Sequence, residues 1–98
     1  MKKILANFNK LLENRIRLGL MSVLVVNESA DYNELKELLD VTDGNLASHI
    51  KVLESNNYII SRKQFVGKKP NTSYKITEEG RVAFNNHLNS IESLLRSQ

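Results

Sequence analysis

The chain has 98 residues, with 14 lysines and arginines against 11 acids, 41% apolar residues, no cysteine, no tryptophan and one proline. This length suits one small domain, 1–98, and the balance of charged and apolar residues is that of a folding chain, far from the polar disordered class. With no cysteine and only two histidines, His49 and His87, a disulfide framework, a cysteine–zinc site and a thiol nucleophile are excluded, and no metal or other cofactor is expected.

The longest apolar run, Leu18 to Val26, is broken by Gly19 and Ser22 and is about half of the roughly 20 residues that span a bilayer. Lys2 and Lys3 resemble the first region of a signal peptide, but Asn7, Asn9 and Lys10 interrupt any apolar core behind them. The expectation is a soluble cytoplasmic protein with no membrane partner. Charge is segregated along the chain: six acids and Lys36 lie between Glu28 and Asp43, whereas five bases and no acid lie between Ser55 and Thr77. Such blocks are either solvated faces or contact surfaces, and only their place in a fold can decide.

Ile4, Leu5, Phe8, Leu11 and Leu12 recur every three or four positions, which predicts one helix over about 1–12 with a single apolar stripe. A second helix, about Asn14 to Val26, is apolar nearly all round and is expected in the core. Ser29-Ala30-Asp31 reads as a turn, and Asn33 as the cap of a short helix whose apolar face is Leu35, Leu38 and Leu39. Asp40-Val41-Thr42-Asp43-Gly44 interrupts that helix, and Thr42 or Asp43 can cap the next, about 43–55, in which Leu46, Ile50 and Leu53 form the inward face. Its opposite side presents Gly44, Asn45, Ser48, Lys51, Val52 and Ser55.

Tyr58-Ile59-Ile60 opens an extended stretch, Thr72 to Thr77 alternates in the same way, and Gly67-Lys68-Lys69-Pro70-Asn71 reads as the turn between them. Thr77-Glu78-Glu79 then starts a long helix, about 78–96, with Phe84, Leu88, Ile91 and Leu95 spaced four, three and four, as in a coiled-coil seam. The predicted class is mostly α with a small β-hairpin (α+β).

Helix, core helix, short helix, turn, second short helix, hairpin and long helix follow one another in the order of a winged helix-turn-helix. Three segments carry a more specific resemblance: Leu46-Ala47-Ser48-His49-Ile50-Lys51-Val52-Leu53-Glu54, then Asn57-Tyr58-Ile59, then Tyr74-Lys75-Ile76-Thr77-Glu78-Glu79-Gly80. They resemble the recognition helix and wing exit of MarR/ArsR-type transcriptional regulators over roughly Asn14 to Val82. Asn56-Asn57 departs from the glycine frequent there, and a left-handed asparagine cap is the expected substitute. The lack of cysteine and of a histidine cluster departs from the metal-sensing members.

The resemblance implies sequence-specific binding of double-stranded DNA, with the helix 43–55 in the major groove and the wing 59–77 on phosphates or the minor groove. Gly44, Asn45, Ala47 and Ser48 are the expected base-contacting residues, since the asparagine amide and serine hydroxyl can read base edges and the small residues permit close approach. Lys51, Arg62, Lys63, Lys68 and Lys69, with Asn71 beside them, are expected on the backbone, although lysines on a hairpin also serve to protect a strand edge. Ile4, Phe8 and Leu11, with Phe84, Leu88, Ile91 and Leu95, are expected to form a homodimer interface between the N- and C-terminal helices. Any small-molecule effector would then sit at that interface. His49 is expected mainly to pack, and His87 to be exposed or at the interface. The competing class is a winged helix used only for protein contact. No phosphate-binding glycine loop and no Ser, His and Asp set at motif spacing argue for an enzyme.

Overall fold

The computed structural model describes the whole chain, residues 1–98. Five helices, α1 (Lys2–Ala6), α2 (Arg15–Val26), α3 (Tyr32–Leu39), α4 (Asp43–Ser55) and α5 (Glu78–Arg96), accompany three strands, β1 (Ala30–Asp31), β2 (Ile59–Val66) and β3 (Lys69–Ile76). The strands form one antiparallel sheet in the order β1-β3-β2. No helix is long and apolar enough to cross a membrane.

The helix starts follow from their side chains. Asn14 Oδ1 accepts from the Ile16 and Arg17 amides at 2.9 and 3.0 Å, Thr42 caps α4 through the Asn45 amide, and Thr77 caps α5 through the Gly80 amide. At α3 the cap is Asp31 and not Asn33. Its carboxylate accepts from the Glu34 amide while Glu34 accepts from the Asp31 amide, a reciprocal capping box that moves the helix start two residues earlier. Asp40 and Asn57, which end α3 and lead out of α4, adopt positive φ of 51° and 59°, tolerated there because their short polar side chains reduce the steric cost. The left-handed asparagine expected after α4 is therefore present, at Asn57.

Two expectations at the N-terminal half are corrected. The first dozen residues are not one helix: α1 ends at Ala6, and Asn9 takes an extended backbone and caps a separate 3-10 turn, Lys10–Leu12, accepting from the Leu11 amide. The Asn9 side chain competes with the helix for the backbone, and the break turns Leu12 fully into the core. Ser29-Ala30-Asp31 is also more than a turn, because Ala30 and Asp31 pair with Tyr74 and Ser73 as a third strand too short to announce itself by alternation.

The core gathers Leu20, Met21 and Leu24 of α2 against Leu46, Ile50 and Leu53 of α4, closed by Leu35, Ile59, Tyr74 and Phe84. α5 is 19 residues long and gives this cluster only Phe84. Phe84 was expected in an intermolecular seam and belongs instead to the intramolecular core. α5 packs on α1 and α2, its start lies against Tyr58, and the molecule is drawn out to 54 × 25 × 21 Å.

Candidate nucleic-acid interface

α4 runs over the expected residues, 43–55, with Leu46, Ile50 and Leu53 buried. Gly44, Asn45, Ala47, Ser48 and Lys51 are all exposed. The Ser55 hydroxyl folds back onto the Lys51 carbonyl, but the Asn45 side-chain amide and Ser48 hydroxyl have no partner within the chain, so both remain open to an external donor or acceptor. A Cβ added at Gly44 would meet nothing within 4 Å, so the helix backbone is open to solvent there.

One residue of the acid block reaches this surface, since Asp43 is the first residue of α4. It is held from α3: Lys36 Nζ lies 3.1 Å from Asp43 Oδ1, and the Tyr32 hydroxyl donates to the Asp43 carbonyl and carboxylate at 3.1 and 3.2 Å. Burial, then the Asp43 charge and hydrogen bond, push the Tyr32 hydroxyl above its ordinary value, so it stays protonated as a donor at neutral pH. The pair is exposed and adds little stability, yet it offsets a carboxylate beside the residues expected to meet DNA.

His49 lies on the edge of α4's buried face, and Arg17 of α2 reaches it: Arg17 Nη1 is 3.0 Å from His49 Nδ1, while Arg17 Nε donates to the Leu11 carbonyl at 2.7 Å. A guanidinium can only donate, so Nδ1 is the acceptor and the neutral ring carries its proton on Nε2. Burial, and then the Arg17 charge, lower the His49 pKa, which favours that neutral form. Packing was the expected role of His49, whereas Arg17 was missed. Its signal was a charge inside an otherwise apolar helix, which must find a partner where it is covered.

The wing is regular to its tip. β2 and β3 pair from Ile59↔Ile76 to Val66↔Lys69, and the turn is only Gly67-Lys68, with Gly67 at φ 66°. The longer turn expected over 67–71 is therefore corrected: Lys69, Pro70 and Asn71 belong to β3, because a glycine in left-handed conformation permits a two-residue connection. Arg62, Lys63, Lys68 and Lys69 are all exposed. Asn71 is half-buried and turned toward Asp31, at 3.5 Å, away from the tip. Strand alternation places Lys63 and Phe65 on the face that carries Ile59 at its root, and Arg62 and Val66 on the other. The exposed Phe65 and Val66 were not singled out from sequence, where they read as ordinary strand residues.

The second and third resembling segments meet at the base of the wing. The Thr77 amide donates to the Tyr58 carbonyl at 3.0 Å and its hydroxyl donates to the Asn57 carbonyl at 2.6 Å. Gly80 lies so close that a Cβ there would stand 2.2 Å from the Tyr58 oxygen. The Tyr58 hydroxyl accepts from Asn9 Nδ2 at 2.9 Å, and the Asn9 amide donates to His87 Nδ1 at 3.1 Å. His87 is thus corrected from an exposed or interface residue to one 3% exposed, with the Phe8 ring set edge-on at 5.3 Å. Asn9, Tyr58, Asn86 and His87 border an open cavity of about 370 Å³. Of the residues expected to meet a second copy, Ile4, Phe8, Leu11 and Ile91 are half-buried, whereas Leu88 and Leu95 remain exposed at 43% and 71%.

Residues 16–95 match the sequence model of the winged helix DNA-binding domain family, and the chain belongs to that family. An uncharacterized protein of Methanocaldococcus jannaschii is 35% identical over 88 residues, covering 90% of this chain and 96% of its own. A solved transcriptional regulator homologue from Pyrococcus horikoshii superposes with a TM-score of 0.85 at 32% identity, covering 98% of this chain and 93% of that one. PadR of Bacillus subtilis, solved in complex with operator DNA, shares the fold with a TM-score of 0.69 at 13% identity, over 76% of this chain and 47% of its own. The fold and family are those of a DNA-binding transcriptional regulator of the winged-helix type.

Proposed function

We propose that this protein is a single-domain, homodimeric transcriptional regulator that places α4 in the major groove of duplex DNA and its wing on the flanking backbone. Asn45 and Ser48 read base edges, Gly44 and Ala47 let the helix backbone approach, and Lys51, Arg62, Lys63, Lys68 and Lys69 meet phosphates. The observation that carries this is the exposed side of α4, where small residues and two unbonded polar side chains precede a hairpin whose bases are exposed and form no ion pair. Leu88 and Leu95 on α5, with Leu5 of α1, supply apolar surface that a second copy would cover. The protein acts by binding and is not an enzyme.

Selection of bound duplexes from a random pool with the purified chain tests this. The expected product is a palindromic or near-palindromic consensus with half-sites about one helical turn, roughly 34 Å, apart. A pool without enrichment, with retention of the chain by protein partners only, would establish the protein-contact alternative.

A further inference from the structure

We propose that Phe65 is an apolar wedge with which the wing enters the base stack and kinks the duplex, an inference that rests on the DNA-binding function above. The chain has three phenylalanines. Phe84 is in the core and Phe8 packs on His87, whereas Phe65 is 75% exposed, and the neighbouring Val66 is exposed as well. The ring stands one pair from the turn, opposite Pro70. It lies four residues beyond Ser61, the partner of the buried Tyr74, or about 13 Å further out at strand rise, so nothing in the core can cover it.

The support is stiff, with eight continuous cross-strand pairs ending in a two-residue turn. A ring on a loose loop would lose on ordering what it gained by insertion, whereas this one is presented already placed. Its surroundings select the partner. Lys63 shares its face, Lys68 forms the turn, Lys69 follows, and no acid occurs between Ser55 and Thr77. An apolar tip ringed by cations suits a surface that is anionic outside and apolar just beneath, and a duplex has that order, phosphates over stacked bases. Apolar side chains inserted between base pairs unstack the step and bend the duplex. Pyrimidine–purine steps unstack most easily, so the wing adds a preference for such a step beside each half-site without any hydrogen bond to a base.

The test uses the full chain and duplexes carrying the selected consensus, with 2-aminopurine placed in turn at the steps flanking each half-site and a fluorophore pair at the ends. Wild type is expected to raise 2-aminopurine emission severalfold at one step per half-site and to shorten the end-to-end distance. Phe65→Ala should lose both while keeping the salt dependence of binding, because the ring is neutral, and Phe65→Leu should restore part of each. Both side-chain changes are at an exposed position, and circular dichroism should match wild type. Equal unstacking and bending by wild type and Phe65→Ala would overturn the wedge alone. Failure of wild type to bind any duplex would overturn the DNA-binding function and the wedge with it. Retention on phosphatidylserine vesicles that Phe65→Ala abolishes, with the DNA bend intact, would assign the ring to a lipid surface and overturn the wedge.

Discussion

Gly80 is the residue where the smallest chemical change meets the hardest contact. Its missing Cβ lets the start of α5 pass within reach of the Tyr58 carbonyl, and a methyl group would collide with backbone, which cannot rotate aside. Gly80→Ala is expected to cost about 1–3 kcal/mol or more, read as a lower urea midpoint. Gly44 is the contrast: its surroundings are open, so Gly44→Ala should leave stability unchanged or raise it by up to about 1 kcal/mol while weakening binding to the preferred duplex, where the added methyl intrudes. At His49 the folded-state pKa lies below the ordinary value of 6.5, so the folded chain binds fewer protons than the unfolded one in the window just below 6.5. The contribution is complete above pH 6.5 and is lost as pH falls through the lower folded value. Urea midpoints measured from pH 7.5 to 5 should fall in wild type and fall less in His49→Gln, whose amide oxygen can still accept from Arg17. The Thr77 to Gly80 segment was legible in sequence as a motif, but its reason was not, because the Tyr58 carbonyl that it serves is two strands away along the chain. Arg17 and His49 are likewise 32 positions apart.

At the scale of elements, α4 and the wing should fail in different ways. Lys68 and Lys69 are point charges, so changing both to Ala should weaken every duplex about equally and lower the salt slope by roughly 1 per lost contact per protomer. Asn45 and Ser48 are neutral, and Ala at both should leave the slope unchanged while costing about 1–3 kcal/mol on the preferred site alone. Salt titrations on the preferred and a scrambled duplex separate the two, and altered sequence preference from the lysine pair with none from Asn45 and Ser48 would reverse the assignment. α4 and α5 were legible because a capping hydroxyl and an apolar period agree in each. The N-terminal helix was not, since a sound apolar period continued through asparagines whose side chains prefer the backbone, and Asn9 found its partners in Tyr58 and His87, far along the chain. β1 escaped because two residues have no period.

For the molecule as a whole, the apolar surface left on α5 is the ground for the proposed dimer. Phe84 is committed to the core and cannot serve a partner, so a seam read as four residues retains Leu88 and Leu95 as its exposed members. Leu88→Lys with Leu95→Lys should yield a folded monomer in sedimentation at about ten micromolar, since like charges would then face each other across the seam. Phenylalanine spacing alone could not show this, because a position four residues before an intermolecular contact is also where a terminal helix docks on its own core.

Hydroxyl-radical footprinting of the wild-type chain on the selected duplex is the most direct test of a dimer reading the major groove through two copies of α4. Two protected tracts on one face of the duplex, with half-site centres about 34 Å apart, are expected, and Asn45→Ala should shift the protein concentration needed for protection upward for both tracts together. A single tract, or protection equally strong on scrambled DNA, would contradict it.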